Sequence, residues 1–251
     1  MNTCPKISII TVSYNSSSTI EQTILSVINQ QYPNIEYIII DGGSTDGTID
    51  IIKKYANNIT YWISERDNGI YDAMNKGIDK ATGDIVGIIN SDDWYSDNIF
   101  TLIASQYKLN PSAMIHGNLI LEGENKTWLA FPKMNTKEYY KGTPFCHPTM
   151  FVPLKIYREI GKFNTQFRIA ADYDLMLRIV ENNYACNYIN TTISHMRTGG
   201  ESDINLIKGY KESRQITINH GYNKLKAFWA YYNKAYNIFR ILLRIKNYFN
   251  K

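Results

Sequence analysis

Apolar positions in the first hundred residues come as short unbroken runs separated by helically spaced stretches. Ile7–Ser13 (ISIITVS), Ile35–Ile40 and Ile85–Ile89 are mostly β-branched and lack polar alternation, the pattern of strands buried on both faces. Thr60–Ser64 is a shorter run of the same kind. Between the first two runs, Ile20, Ile24, Val27 and Ile28 share one helical face, and Ser18 with Glu21 predicts a capping box ahead of it. Thr45 or Asp46 is positioned to cap a second helix through Tyr55, and a third is predicted from about Ile70 to Lys80, ending near Gly83. Strand and helix alternating in short units, with right-handed crossovers, predict an α/β fold: a mostly parallel central sheet with helices on both faces.

The ends of these strands carry acids. The run Ile85–Ile89 stops at Asn90-Ser91-Asp92-Asp93, and Ile35–Ile40 stops at Asp41 in DGGSTDGT. The carboxyl ends of parallel strands line one rim, where open α/β sheets bind ligands. Adjacent unpaired carboxylates repel, and a divalent cation relieves that repulsion. The plainer alternative is a turn shaped by Asp92 and Asp93, with the Asp97 region capping the next helix. Asp41 has two readings as well, a contact to ribose or base, or a cap on its own glycine turn. No G-x-G-x-x-G follows the first strand and no P-loop is present, so a dinucleotide site is disfavoured and bound phosphates would need a metal.

Composition narrows this further. The chain has 251 residues, 44% of them apolar, enough for one large α/β domain or a domain with an appendage. Cys4, Cys146 and Cys186 form no C-x-x-C pair and read as reduced buried thiols of a cytosolic protein. The N-terminus enters a strand at once, which predicts no secretory leader, and no run of eighteen apolar residues predicts a membrane span. The net charge of +4 is uneven. Residues 213–251 hold eight Lys or Arg and no acid, so the remaining 212 residues carry −4, which argues against a nucleic-acid footprint. From Asn223 to about Tyr248 the pattern is helical: Leu225, Phe228, Trp229, Tyr232, Tyr236, Phe239, Leu242 and Leu243 form a stripe among basic residues. Such a helix suits an interfacial membrane anchor, or a helix packed on the domain with its charges solvated.

Taken in order, SIITVSYN, DGGSTDGT and SERDNGIYDAMNKGIDKATGDIVGIINSDDWY resemble the donor-binding half of the family 2 glycosyltransferases of GT-A fold. CHPTMF and IGKFNTQFRIAADYDLMLR resemble that family's acceptor half. The similarity is greatest to bacterial members that build capsule, O-antigen or exopolysaccharide. It implies a GT-A domain over residues 1–212, with a donor half of about 1–110 and an acceptor half of about 111–212, followed by a basic helical tail over 213–251. It further implies that Asp93 ligates Mn2+ or Mg2+ and that Asp92 contacts the donor ribose or the metal's waters. Asp41 would hold base and ribose, with Thr11, Tyr14 and Asn15 in the same pocket. Asp67 sits where the family's loop reaches the nucleotide, or else partners Arg66 or caps a helix. Asp172 matches the catalytic base, the second acid of a Glu-Asp pair whose first position is Ala171 here; a helix cap is its alternative. Asp174 and Arg178 read as an i,i+4 ion pair. His147 is expected near the acceptor or as a buried histidine, and His195 is a candidate metal ligand. Tyr139, Tyr140 and Trp128 are candidates for stacking on sugar rings, or core aromatics.

The resemblance therefore implies an inverting, metal-dependent hexosyl- or N-acetylhexosaminyltransferase. It would move a sugar from a nucleotide-diphosphate donor, UDP-linked by preference, to a hydroxyl of a glycan acceptor. An undecaprenyl-type lipid carrier at the cytoplasmic face of the inner membrane is the expected setting. The alternatives are a catalytically silent homologue acting as a binding subunit, favoured by Ala171, and a sugar-nucleotide nucleotidylyltransferase. The latter should carry a glycine-rich, Arg-containing loop after the first strand, where SYNSSST stands.

Overall fold

The computed structural model describes residues 4–133, 135–233 and 235–236. The predicted units form with little displacement: β1 (Ile7–Ser13), α1 (Ile20–Ile28), β2 (Ile35–Asp41), α2 (Thr48–Lys54), β3 (Tyr61–Ser64), α3 (Ile70–Lys80) and β4 (Ile85–Asn90). Then follow β5 (Trp94–Tyr95), α4 (Ile99–Leu109), β6 (Met114–Glu122), β7 (Thr127–Ala130), β8 (Phe151–Pro153), α5 (Leu154–Ile160), α6 (Ala171–Glu181) and β9 (Cys186–Arg197). A four-residue α7 (Glu201–Ile204) and α8 (Leu206–Asn219) lead to a further helix, α9, at 224–233.

The strands join in one sheet, in the order β3-β2-β1-β4-β8-β6-β9-β5, with β7 paired to β6. The first four are mutually parallel. β8 runs antiparallel to β4 and β6, while β9 returns parallel to β6 and carries β5 on its far side. Pleating sends alternate residues of each parallel strand to opposite faces. Ile10, Val12, Ile38, Ile40 and Ile88 pack under α3, α5 and α6, whereas Ile7, Ile9, Ile39, Ile85 and Ile89 pack against α1 and α4. Helix α3 lies so close to β1 that a Cβ on Gly77 would come within 2.4 Å of Ile10.

Some local expectations change. The capping box does not form, because α1 starts at Ile20 with Thr19 at its N-cap, one residue later than the box requires. Glu21 instead meets Lys54 Nζ and the Tyr55 hydroxyl, each at 2.6 Å, and ties α1 to α2. The N-cap of α2 is Gly47, not Thr45 or Asp46; Asp46 stands one residue before it and accepts from the Thr48 amide at 3.1 Å. Cys4 is exposed and only Cys146 and Cys186 are half-buried; all three are free thiols. The division at residue 212 falls inside α8. Of the predicted tail helix, residues 224–233 are helical, and the stripe beyond Tyr236 lies outside the described residues. Among the described residues no helix is long and apolar enough to cross a membrane.

Candidate active site

The chain progresses from β1 outward to β2 and β3, then crosses back to β4 on the other side of β1. That reversal opens a crevice at the carboxyl ends of β1 and β4, the place where doubly wound sheets bind ligands. Ser13 pairs with Asp41 on one side, and Val12 pairs with Asn90 on the other. Asp41 and the Asn90–Asp93 turn thus flank the end of β1, two strand spacings or roughly 10 Å apart.

Asp41 is fully enclosed. It accepts from the hydroxyls of Ser13 (2.9 Å), Ser44 (2.5 Å) and Ser64 (2.6 Å) and from the amides of Gly43 (3.1 Å) and Ser44 (2.8 Å). Burial pushes its carboxyl up, but the hydrogen bonds outweigh this and leave it lowered. Asp41 therefore anchors its own glycine turn at the end of β2. Thr11 does not reach the rim. It is buried in mid-strand with its hydroxyl 3.1 Å from that of Tyr37, because its pleat position points into the core.

Tyr14 and Asn15 do line the rim. Tyr14 is 66% exposed, and Asn15 takes a left-handed conformation (φ 46°) and accepts from the Thr45 amide at 2.9 Å. Asp67 joins them: a Cβ on Gly42 would lie 2.5 Å from its Oδ2 and 3.4 Å from the Tyr14 ring. Only glycine at 42 leaves that approach open. The other oxygen of Asp67 accepts from the amide of Gly69, the N-cap of α3, at 2.8 Å, and α3 has no side-chain cap bond.

Asp93 is 1% exposed, and its neighbour Asp92 is half-buried. Burial first, and the Asp92 carboxylate second, push Asp93 up to about 8; burial also raises Asp92. Asp93 is held by long contacts only, the Arg197 amide at 3.2 Å and Asn90 Nδ2 at 3.5 Å. Asn90 Oδ1 beside it is buried with no partner. Under-satisfied oxygens clustered in this way suit a hard divalent cation. No group of three or more His, Cys, Asp or Glu that could hold a metal occurs among the described residues. His195 accordingly does not join Asp93 in such a group. Its Nδ1 pairs with Glu122 at 2.8 Å, and its ring stacks on Trp94, its register partner on β5, at 5.1 Å.

Sequence reasoning missed Arg197. Its guanidinium donates to the Asp92 carbonyl and to Gln22 Oε1 and lies 4.7 Å from the centre of the Trp94 ring. The only cue was a cation just before Gly199-Gly200, and Gly200 does approach Asp92 Oδ2, at 3.8 Å from a Cβ built on it.

Asp172 stands in the first turn of α6 and makes no cap bond there, since the N-cap is Ala170. Its Oδ1 is 3.1 Å from the Tyr71 hydroxyl of α3, the helix that follows Asp67. His147 is half-buried against Phe163, ring centres 5.7 Å apart. Burial pushes its imidazole down, opposed by the nearby charge of Asp172, so the two belong to one neighbourhood. Asp174 and Arg178 form the expected ion pair at 2.9 Å, extended by His220 at 3.1 Å. Tyr139 is buried in the core with its carbonyl bonded to Tyr173, whereas Trp128 is 50% exposed on β7.

The description Glycosyl transferase family 2 matches residues 8–162, more than half of the chain. The chain belongs to this family. As a family 2 member it is a glycosyltransferase, and the nucleotidylyltransferase alternative loses its support. Over 183 residues it is 29% identical to a PGL/p-HBAD biosynthesis glycosyltransferase of Mycobacterium bovis, covering 71% of each chain. Among solved structures, S. aureus TarS 1–349 in complex with UDP-GlcNAc shares the fold at a TM-score of 0.68 and 18% identity, over 90% of this chain and 70% of that one. This glycosyltransferase spans 42% of the longer TarS chain. The mannosyltransferase PcManGT from Pyrobaculum calidifontis, in complex with GDP-Man and Mn2+, matches at 0.68 and 18% identity, over 94% and 70%. The α/β architecture is thus that of GT-A enzymes.

Proposed function

We propose that this glycosyltransferase moves one sugar, with inversion, from a nucleotide-diphosphate donor, UDP-linked by preference, to a hydroxyl of a lipid-linked glycan in bacterial surface polysaccharide synthesis. The observation that carries the reading is the reversal of strand order at β1/β4, which sets Tyr14, Gly42 and Asp67 on one side of the β1 end and Asp92, Asp93 and Arg197 on the other. The UDP-GlcNAc and GDP-Man complexes of fold relatives support a nucleotide sugar as its occupant. The nucleoside would lie on the Tyr14 and Asp67 side, over the turn that Asp41 anchors. Asp93 and Asp92 would hold Mn2+ or Mg2+, and such an ion supplies charge neutralisation to a departing diphosphate. Small hard cations are commonly held by one or two carboxylates together with substrate phosphates and water, so a third protein ligand is not required. Arg197, stacked on Trp94, adds a fixed positive charge on the same side.

Asp172 would act as the base. With Oδ1 engaged by Tyr71, Oδ2 is left to take the proton of the acceptor hydroxyl as it attacks the anomeric carbon. Direct displacement assisted by one base inverts the configuration. His147, beside Asp172, would line the acceptor approach.

Membrane contact has its own support. Helix α9 buries Ala227 and Tyr231 against the domain and turns Leu225, Trp229 and Tyr232 outward; these and Tyr236 beyond it are each about half or more exposed. Phe228, Tyr232 and Tyr236 stack in succession at 5.6 and 6.2 Å. An outward aromatic ladder flanked by Lys224 and Lys226 suits the headgroup layer of an anionic bilayer.

Two experiments test the reading. Mn2+-dependent hydrolysis of a panel of UDP-GlcNAc, UDP-glucose and GDP-mannose should reveal the donor, and Asp172→Asn should lower that rate by about two to four orders of magnitude while UDP still binds. A rate near that of the wild type would remove Asp172 from the chemistry. Combined Trp229→Ser, Tyr232→Ser and Tyr236→Ser should leave a folded, active enzyme that no longer cosediments with phosphatidylserine vesicles. Undiminished cosedimentation would reject the membrane contact.

A further inference from the structure

The turn that leads into Asp172 is gripped from two directions by residues outside the donor crevice. On one side is Tyr71, 8% exposed on α3, whose hydroxyl lies 3.1 Å from Asp172 Oδ1 and 2.9 Å from the Ile169 carbonyl oxygen. Its single proton is shared between these acceptors. On the other side is Glu212 of α8, which accepts from three successive backbone amides: Arg168 (3.1 Å), Ile169 (2.8 Å) and Ala170 (3.1 Å).

A helix start normally satisfies its free amides with a side chain at its own N-cap. In α6 that position is Ala170, and the next residue, Ala171, is fully buried, so the helix makes no side-chain cap of its own. Glu212, from another element, accepts from the amides of the two residues before α6 and of its N-cap, and its negative charge suits the positive end of the helix. The Tyr71 phenol is held well above its ordinary value by burial first and by the Asp172 charge second, so it remains a donor at any working pH.

We propose that Tyr71 and Glu212 are positioning residues that aim the Asp172 carboxylate: Glu212 fixes the backbone that carries it, and Tyr71 pins Oδ1 so that Oδ2 faces the acceptor. The proposal rests on Asp172 being the base. Its physical content is that a base left free to turn spends less time in line with the hydroxyl, and small misplacements are costly in rate. It also makes α8, which follows the segment matched to the family, part of the catalytic apparatus.

The test is a double-mutant cycle on the full chain, read by Mn2+-dependent hydrolysis of the fastest-hydrolysed radiolabelled donor in the panel above. Tyr71→Phe should lower kcat about tenfold, the scale of one hydrogen bond to a charged group. The KM for donor and the thermal midpoint should stay near wild-type values. In an Asp172→Asn background the same change should cost nothing further, because the group it aims is gone. Glu212→Gln keeps the shape but loses the charge and one acceptor oxygen; it should lower kcat and speed hydrogen exchange of the 168–170 amides relative to the rest of α6. An unchanged kcat in Tyr71→Phe, or an equal loss in both backgrounds, overturns the role of Tyr71. Unaltered exchange at 168–170 in Glu212→Gln overturns that of Glu212. Near-wild-type turnover in Asp172→Asn alone is a separate result, which overturns the assignment of the base.

Discussion

The most demanding consequence of the site concerns stability in the absence of metal. Asp93 is buried beside Asp92 with two long hydrogen bonds, and its pKa rises from an ordinary 3.8 to about 8. An acid whose folded pKa lies above its unfolded one takes up a proton on folding. Stability therefore falls with rising pH between the two values, by about 1.4 kcal/mol per pH unit. From pH 4 to pH 7 the accumulated loss is roughly 4 kcal/mol. Asp93→Asn keeps the shape and cannot ionise, so in EDTA it should match the wild type near pH 4 and exceed it by roughly 4 kcal/mol at pH 7, on the order of 10 °C in Tm for a chain of this size. Urea unfolding of both proteins at several pH values isolates the effect, since titrating groups remote from Asp93 cancel in the difference. Mn2+ should then restore stability to the wild type at pH 7 and do nothing for Asp93→Asn. A difference that stays flat from pH 4 to pH 7, or a variant less stable than the wild type at pH 7, would refute the reasoning.

Two further outcomes follow from other charged groups. Burial pushes His220 down, but its hydrogen bonds to Asp174 (3.1 Å) and Glu181 (2.6 Å) outweigh this and leave it raised. A raised histidine stabilises the fold fully below its unfolded pKa, and this is lost as pH climbs through the folded one. His220→Gln should thus destabilise the protein more in acid than in alkaline solution in urea unfolding; an equal loss in both would contradict this. His195→Ala should retain Mn2+-dependent binding of UDP in calorimetry, since His195 is engaged by Glu122 and Trp94; loss of the metal dependence would return it to the ligand set.

What the sequence made legible is what a single strand or turn determines. Unbroken β-branched runs and the acids that end them are local signals, so β1, β2 and β4 and the flanking positions of Asp41 and Asp92-Asp93 could be read directly. Pleat direction was less legible. Thr11 and Asp41 lie in or at the end of the right strands, yet one faces the core and the other is consumed by five donors within its own turn and adjacent strand ends. Nothing in the run of residues distinguishes an acid that offers its oxygens to a ligand from one that spends them on a turn. The capping box failed for a similar reason: a start one residue later sent Glu21 to α2.

The remaining partners were illegible because they arrive from far along the chain. Arg197 reaches Asp93 across 104 residues, Tyr71 reaches Asp172 across 101, and Glu212 returns to the α6 entrance over more than 40. These contacts depend on β9 lying between β6 and β5 and on α8 folding back over α6, features of topology with no short-range trace. The division has a functional side. The segment matched to the family ends at residue 162, so it contains Tyr14, Asp67, Asp92 and Asp93 but not Asp172, Arg197 or Glu212. On the proposed reading, a chain built this way can keep its donor side while the later elements, which would aim the base and border the acceptor, change with the molecule to be glycosylated.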